Sequence, residues 1–152
     1  METEKPKTFE EVRQYLASFS CISGGGCGVA ALAMYKWLDK QGEIEDDFKF
    51  VLCYRVRDEE TYINNVGVLR NKNGKAQACD HIGIYYDGKY IDCRKSLDLT
   101  DYGTIQFISY DDTWFMQNAL NNVDSWNTMF DRKQHIPEIE EALDISLKEI
   151  ER

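Results

Sequence analysis

The order of predicted elements in this 152-residue chain, two helices followed by strands and then by further helices, predicts an α+β fold. A length near that of one typical domain, with neither an internal repeat nor a linker-like segment, predicts a single domain over residues 1–152. The composition of 43% apolar and 12% aromatic residues, with only 2 Pro, supplies enough apolar surface for one core.

Capping residues and periodicity define the two N-terminal helices. Thr8 followed by Glu11 is a capping-box pattern, and the apolar residues after it recur on one helical face, so we predict a helix over 9–19. A run of three glycines then predicts a loop, because glycine adopts backbone conformations that other residues avoid. The helix-forming residues that follow, with Gly42 at a C-terminal cap position, predict a second helix over 27–40.

Three segments carry the composition or the turn signals of β-structure. Residues 48–56 are rich in β-branched and aromatic side chains and predict a strand. The dipeptide Asp87-Gly88 is typical of a two-residue hairpin turn, which predicts antiparallel strands over 79–86 and 89–94. Residues 104–110 predict a further strand.

Residues 62–69 carry conflicting signals. Tyr62, Val66 and Leu69 recur at helical spacing, whereas the downstream dipeptide Asn73-Gly74 is typical of a hairpin. The helical spacing favours a helix, and a helix is the prediction for this segment.

The C-terminal segment, about 111–152, is predicted to be mostly helical, with helices near 113–120, 125–130 and 138–150. An apolar stripe at helical spacing either packs on its own domain, which is the expectation, or docks a partner helix. The stripe consists of Ile136, Ile139, Leu143, Leu147 and Ile150.

Charge, hydropathy and cysteine usage exclude several classes of function. The formal net charge is −9, and no more than two basic residues are adjacent, which disfavours a nucleic-acid partner. The longest apolar run, residues 29–34, is far shorter than the roughly 20 residues of a spanning helix, so no membrane partner is expected. The five cysteines form an odd set without a C-x-x-C motif, and the N-terminus lacks an apolar signal region. We therefore expect a cytoplasmic protein with reduced thiols.

Cys27 is the first candidate for chemistry, because it follows the glycine run and begins the second predicted helix. The unpaired N–H groups and the dipole at a helix N-terminus stabilise a thiolate, which is the form of cysteine that acts as a nucleophile. The alternative is a small buried cysteine that only fills the core.

The predicted hairpin supplies a candidate base. His81 opens its first strand, whereas His135 precedes Pro137 in a Glu-rich segment, where a solvated or capping role is expected. A two-residue turn places Asp92 diagonally across from His81 on the same face, with backbones about 7–8 Å apart. A carboxylate in that position orients an imidazole and stabilises its charged form. A simple solvent-facing pair of strand residues is the alternative.

Two stretches resemble the papain-like cysteine peptidase superfamily: Cys27-Gly-Val-Ala-Ala-Leu-Ala-Met, and the hairpin from His81 to Asp92. The first is most similar to bacteriocin-leader peptidases, and the second also resembles transglutaminase-like enzymes. The resemblance implies a papain-like fold, in which the nucleophile helix packs against an antiparallel sheet. It implies Cys27 as nucleophile, His81 as base and Asp92 as orienting acid. It also implies hydrolysis of a peptide, isopeptide or amide bond through a thioester, in a peptide or protein substrate and without a cofactor, with transamidation and deamidation as alternatives. The Cys27 Sγ is expected to face His81 where the helix meets the sheet.

One departure from that family concerns the oxyanion. These peptidases commonly carry a Gln shortly before the nucleophile, but position 21 is Cys and residues 20–26 contain neither Gln nor Asn. Backbone N–H groups of Cys27 and Gly28 are therefore the expected donors to the oxyanion. Gln14, Asn64 and Asn65 are side-chain candidates from elsewhere in the chain.

Two competing interpretations remain open at this point. Cys79, His81 and Cys93, with Cys21 or Cys27, offer the ligand types of a zinc site, but their spacing matches no standard zinc pattern, so no metal ligand is predicted. A peptidase-like scaffold without turnover, acting as a protein-binding module, is the alternative function. The aromatic and amide-rich run over 110–130 would suit such a binding surface.

Overall fold

A computed structural model describes residues 5–19, 27–56, 68–70, 76–93, 98–111 and 131–147. Over these ranges the chain is α+β, as predicted. The described helices are α1 (Phe9–Ala17), α2 (Cys27–Lys40) and α3 (Arg132–Leu143), and the described strands are β1 (Lys49–Val56), β2 (Val68–Arg70), β3 (Ala76–Tyr86), β4 (Lys89–Ile91) and β5 (Thr104–Ser109). A 3-10 turn, Leu99–Asp101, precedes β5. The helices predicted over 113–120 and 125–130 lie outside the described residues.

The helix α2 forms the centre of the core and has the predicted bounds. Every residue from Cys27 to Tyr35 is buried, and so are Trp37 and Leu38. The helix ends in a glycine cap, because Gly42 has a φ of +74° and the N–H of Glu43 donates to the carbonyl of Leu38 at 3.0 Å. None of the described helices is both long enough and apolar enough to cross a membrane.

The first helix begins with the predicted capping box. The Thr8 hydroxyl accepts from the Glu11 N–H at 3.1 Å, and the Glu11 carboxylate accepts from the Thr8 N–H at 3.2 Å. The helix ends at Ala17, two residues before the predicted end, where Ser18 forms its C-cap. Val12 and Leu16 are fully buried in the core cluster that includes α2, so α1 packs on the domain through its apolar face.

The strands form one antiparallel sheet in which β3 is the most connected element. β1 lies between β3 and β5, so three strands follow the order β3-β1-β5. On the other edge of β3, β2 pairs with residues 76–78 and β4 pairs with residues 84–86. The sheet is therefore four strands wide, with β2 and β4 sharing one edge at opposite ends of β3.

The hairpin between β3 and β4 has the predicted register. Asp87 and Gly88 have φ values of +54° and +75°, which is the left-handed geometry of a two-residue type I′ turn. Tyr86 pairs with Lys89, and Ile84 pairs with Ile91. The second strand ends at Ile91, three residues before its predicted end.

The helix predicted over 62–69 is wrong where the structure describes it. Val68 and Leu69 belong to β2 and pair with Ala78 and Gln77 of β3. The helical spacing was outweighed by backbone pairing with a neighbouring strand, which propensity within a short window does not include. The hairpin signal at 73–74 was the better indicator, because it lies between two strands that are antiparallel.

The helix predicted over 138–150 is displaced toward the N-terminus. It begins at Arg132, where the side chain of Asp131 accepts from the Gln134 N–H, and it ends before Asp144, which adopts the left-handed conformation. The expectation that the apolar stripe packs on its own domain is confirmed for the described members, all of which are buried in the core cluster: Ile136, Ile139, Leu143 and Leu147.

Replacing Gly88 by Ala is expected to lower the free energy of unfolding by about 1 kcal/mol, because an L side chain is disfavoured at positive φ. No atom lies within 4 Å of an added Cβ at either Gly88 or Gly42, so the cost is conformational, and Gly42→Ala, at a φ of +74°, is expected to lower the free energy of unfolding by a similar amount. Urea denaturation measures both. Loss of less than a few tenths of a kcal/mol at Gly88 would contradict the type I′ turn.

Candidate active site

Cys27 is the first residue of α2, as the sequence predicted. It is buried with 7% of its surface exposed, and the next residue, Gly28, is buried as well. The first N–H groups of a helix have no partner within the helix, and the dipole places partial positive charge there. The thiol of Cys27 therefore lies where a thiolate, or an oxyanion formed beside it, is favoured electrostatically.

His81 lies on β3 directly after a β-bulge. In the pairing of β1 with β3, Cys53 is opposite His81 but Tyr54 is opposite Cys79, so Asp80 is an extra residue on β3. A bulge bends its strand and redirects the side chains beside it. On the other edge of β3, His81 falls in the interval between β2 and β4. The strand geometry and the pairing at His81 therefore differ from those of the regular part of β3 that follows it.

The structure brings together two of the predicted site residues. The Nε2 atom of His81 lies 2.8 Å from Oδ2 of Asp92, and the two side chains are 13% and 9% exposed. An ionised carboxylate only accepts hydrogen bonds, so Nε2–H is the donor and the lone pair of the neutral ring is on Nδ1. The arrangement holds the imidazole in one tautomer, and it stabilises the imidazolium that forms when Nδ1 takes a proton.

Arg13 contacts the backbone of Asp92, and no local signal in the sequence indicated this contact. Its Nε donates to the backbone carbonyl of Asp92 at 3.2 Å, and its Nη1 donates to Glu10 Oε1 at 2.9 Å. Arg13 and Asp92 are 79 residues apart in sequence, so only the packing of α1 reveals the contact.

A thiol of β1 lies opposite His81. Cys53 of β1 is directly opposite His81 in register and is fully buried. Side chains directly opposite each other in an antiparallel pair have Cβ atoms roughly 4.5–5.5 Å apart. Sequence reasoning placed Cys53 in an apolar strand and assigned it no role, because the register between β1 and β3 is not encoded locally. Cys53 is therefore the competitor of Cys27 for the role of nucleophile.

The remaining histidine has a local role on α3. His135 Nδ1 lies 2.7 Å from Glu138 Oε1, one helical turn along, and its ring meets that of Phe19 edge to face at 4.8 Å between centroids. These contacts join α3 to the end of α1.

The remaining candidates for metal ligands and for oxyanion donors lie partly within and partly outside the described residues. Within the described part of the chain, His, Cys, Asp and Glu side chains form no group of three or more that would hold a metal ion. Gln14 lies on the exposed side of α1, while Cys21, Asn64 and Asn65 fall outside the described residues. The backbone N–H groups of Cys27 and Gly28 stay the predicted oxyanion donors, and the approach of the Cys27 thiol to His81 stays a prediction.

Comparison with known proteins supplies no relative for this chain, since no family model, curated protein or solved structure matches it.

Changing Asp92 to Asn is expected to remove the preference of the His81 ring for its Nε2–H tautomer. An amide can donate to Nε2 as well as accept from it, so the Nδ1–H form should become populated. Nitrogen-15 chemical shifts of the two histidine rings measure the tautomers at a pH where the rings are neutral, and His135 serves as the internal reference. Unchanged His81 shifts in Asp92→Asn would show that Asp92 does not orient the ring.

Proposed function

We propose that this protein catalyses a cysteine-dependent acyl transfer, with hydrolysis of a peptide, isopeptide or amide bond as the first choice. Cys27 is the nucleophile, His81 the base and Asp92 the acid that orients it. The observation that carries the proposal is the 2.8 Å bond between His81 Nε2 and Asp92 Oδ2, whose side chains are only 13% and 9% exposed, on a hairpin beside the helix that begins at Cys27. A surface ion pair without a function would not need this burial.

In the proposed reaction, Nδ1 of His81 takes the proton of the Cys27 thiol, and the resulting thiolate attacks the carbonyl carbon of the substrate. The oxygen of the tetrahedral intermediate accepts hydrogen bonds from the N–H groups of Cys27 and Gly28. The imidazolium then protonates the leaving amine as the C–N bond breaks, which leaves a thioester on Cys27. His81 next deprotonates a water molecule that attacks the thioester, and the thiol is regenerated with release of the acid. An amine in place of water would give transamidation.

α2 packs against β3, the strand that carries His81, and its buried residues share the core cluster with Ile82 and Ile84 of that strand. A helix that presents its N-terminal cysteine to an antiparallel sheet carrying a histidine is the arrangement that the resemblance to papain-like peptidases implies. Proton transfer further requires the Cys27 Sγ to come within about 3–4 Å of His81 Nδ1 when substrate is bound. A papain-like fold and this close approach are both parts of the proposal.

Cys27 is preferred to Cys53 as the nucleophile on two grounds. Cys27 has the N–H groups and dipole of a helix terminus beside it, whereas Cys53 lies in the middle of β1, where no such field exists. Cys27 also retains some exposure, whereas Cys53 has none. A substrate carbonyl must reach the sulfur, and complete burial opposes that.

A reducing compartment suits the proposal. Cys27, Cys53 and Cys93 are buried thiols rather than members of disulfides. Reduced cysteines are usual for cytoplasmic proteins, and a catalytic thiol depends on that state. We therefore propose a cytoplasmic location and a peptide or protein substrate.

A protein-binding module is the second candidate function, and one observation favours it. Phe107 on β5 is 49% exposed and lies 6.1 Å from the ring of Tyr90, so aromatic surface is available on the sheet. Of the run over 110–130 that suggested such a surface, only Tyr110 and Asp111 are described. A binding module does not require an activated thiol, so the reactivity of Cys27 separates the two functions.

Limited alkylation with iodoacetamide at neutral pH is expected to modify Cys27 first, because among the cysteines in the described part of the chain it is the one at a helix N-terminus, which stabilises its thiolate. Peptide mapping by mass spectrometry gives the rate at each cysteine. His81→Ala should slow labelling of Cys27 by about tenfold or more, since the base that removes the thiol proton is lost.

Cys53→Ala and Cys93→Ala are the matched controls, since each removes a buried thiol without touching the proposed nucleophile. Labelling of Cys27 should be unchanged in both. Faster alkylation of Cys53 than of Cys27 in the native protein would transfer the nucleophile to β1. Equally slow labelling of all described thiols, at the rate of unactivated cysteine, would favour the binding module.

A further inference from the structure

The guanidinium of Arg13 connects α1 to the backbone of the proposed orienting acid. Its Nε donates to the carbonyl oxygen of Asp92 at 3.2 Å, while its Nη1 forms an ion pair with Glu10 at 2.9 Å. The side chain of Arg13 is largely shielded from solvent, whereas that of Glu10 is exposed. The planar group of Arg13 is thus held by two hydrogen bonds, and one of them is to Asp92, a residue of the proposed site.

The helix that carries Arg13 is a firm support. Its N-terminus is closed by the capping box of Thr8 and Glu11, and its apolar face, with Val12 and Leu16, is fully buried. Arg13 directly follows a buried residue, so its backbone is held close to the core. Because α1 is held in place, the hydrogen bond from Arg13 fixes the Asp92 carbonyl relative to α1.

Asp92 needs such a support because regular pairing ends just before it. The last pair between β3 and β4 joins Ile84 to Ile91, and Asp92 is the next residue along the chain. The orientation of the Asp92 peptide group determines the direction in which the side chain, and with it the carboxylate, projects from the backbone. A hydrogen bond to its carbonyl therefore helps to define where Oδ2 lies relative to His81 Nε2.

We propose that Arg13 is a positioning residue, which acts through Asp92 to hold the His81 ring in its Nε2–H tautomer. The geometric part of this inference depends only on the described contacts, whereas its consequence for catalysis rests on the proposed function. Arg13 does not touch the reacting atoms, and its effect is on the orientation of the pair that would.

Lysine is the most informative replacement. In Arg13→Lys a methylene occupies the place of Nε, so the donor to Asp92 is removed while the positive charge is kept on a side chain that is one atom shorter. We expect the Nδ1–H tautomer of His81 to become populated, and exchange of the Nε2 proton with solvent to accelerate about tenfold, as for the loss of one ordinary hydrogen bond. Nitrogen-15 and proton spectra of the ring measure both, with His135 as the internal reference.

Lys40→Arg is the matched control. Lys40 also donates from a helix to a backbone carbonyl, that of Asp144 at 2.6 Å, so the reciprocal exchange of cations there tests for a general effect. His81 should keep its wild-type tautomer in this control. A wild-type tautomer and exchange rate in Arg13→Lys would overturn the inference, and so would equal changes in Lys40→Arg. If the lysine variant does not fold, Arg13→Met is measured in its place with the same two outcomes.

The alkylation rate of Cys27 in the same variants separates this inference from the proposed function. Slower labelling together with the altered tautomer would support both. An altered tautomer with labelling of Cys27 no faster than that of an unactivated thiol, in the wild type as well, would support the role of Arg13 and contradict the proposed function.

Discussion

The strand β3 is the constraint on which the rest of the described structure depends. It pairs with β1 along one edge and with β2 and β4 on the other, and it also packs against α2. A shift of this strand by one residue would exchange its two faces and remove Ile82 and Ile84 from the core. The register of β3 is therefore fixed by burial, and this register sets the positions of His81 and the described side chains that follow it.

The candidate site uses the two places where β3 departs from regularity. The bulge at Asp80 precedes His81, and the type I′ turn at Asp87 and Gly88 returns the chain so that Asp92 comes back beside His81. Between these two features the pairing is regular, which gives the His81–Asp92 bond a stiff frame. The proposed chemistry requires that stiffness, because an imidazole that changes tautomer cannot accept a proton at the nitrogen facing the nucleophile.

Features with local signals were predictable from the sequence, and features created by distant pairing were not. The bounds of α2 and the turn of the hairpin follow from a glycine run, helix propensity and Asp87-Gly88, all of which act within a few residues. The contact of His81 with Asp92 followed from that turn by counting. By contrast, the placement of Cys53 opposite His81, the bulge at Asp80 and the contact of Arg13 depend on how separate elements pack. The misassigned segment at 68–69 has the same origin, since its strand exists through pairing with β3.

The most direct test of the central claim is intact-mass screening of the protein against a library of electrophilic acyl compounds that includes peptide, isopeptide and simple amide mimics. We expect a single covalent adduct that maps to Cys27, is absent in Cys27→Ala and forms much more slowly in His81→Ala. An adduct that persists in Cys27→Ala and maps to Cys53, or a Cys27 adduct that forms equally fast without His81, would contradict the proposed mechanism.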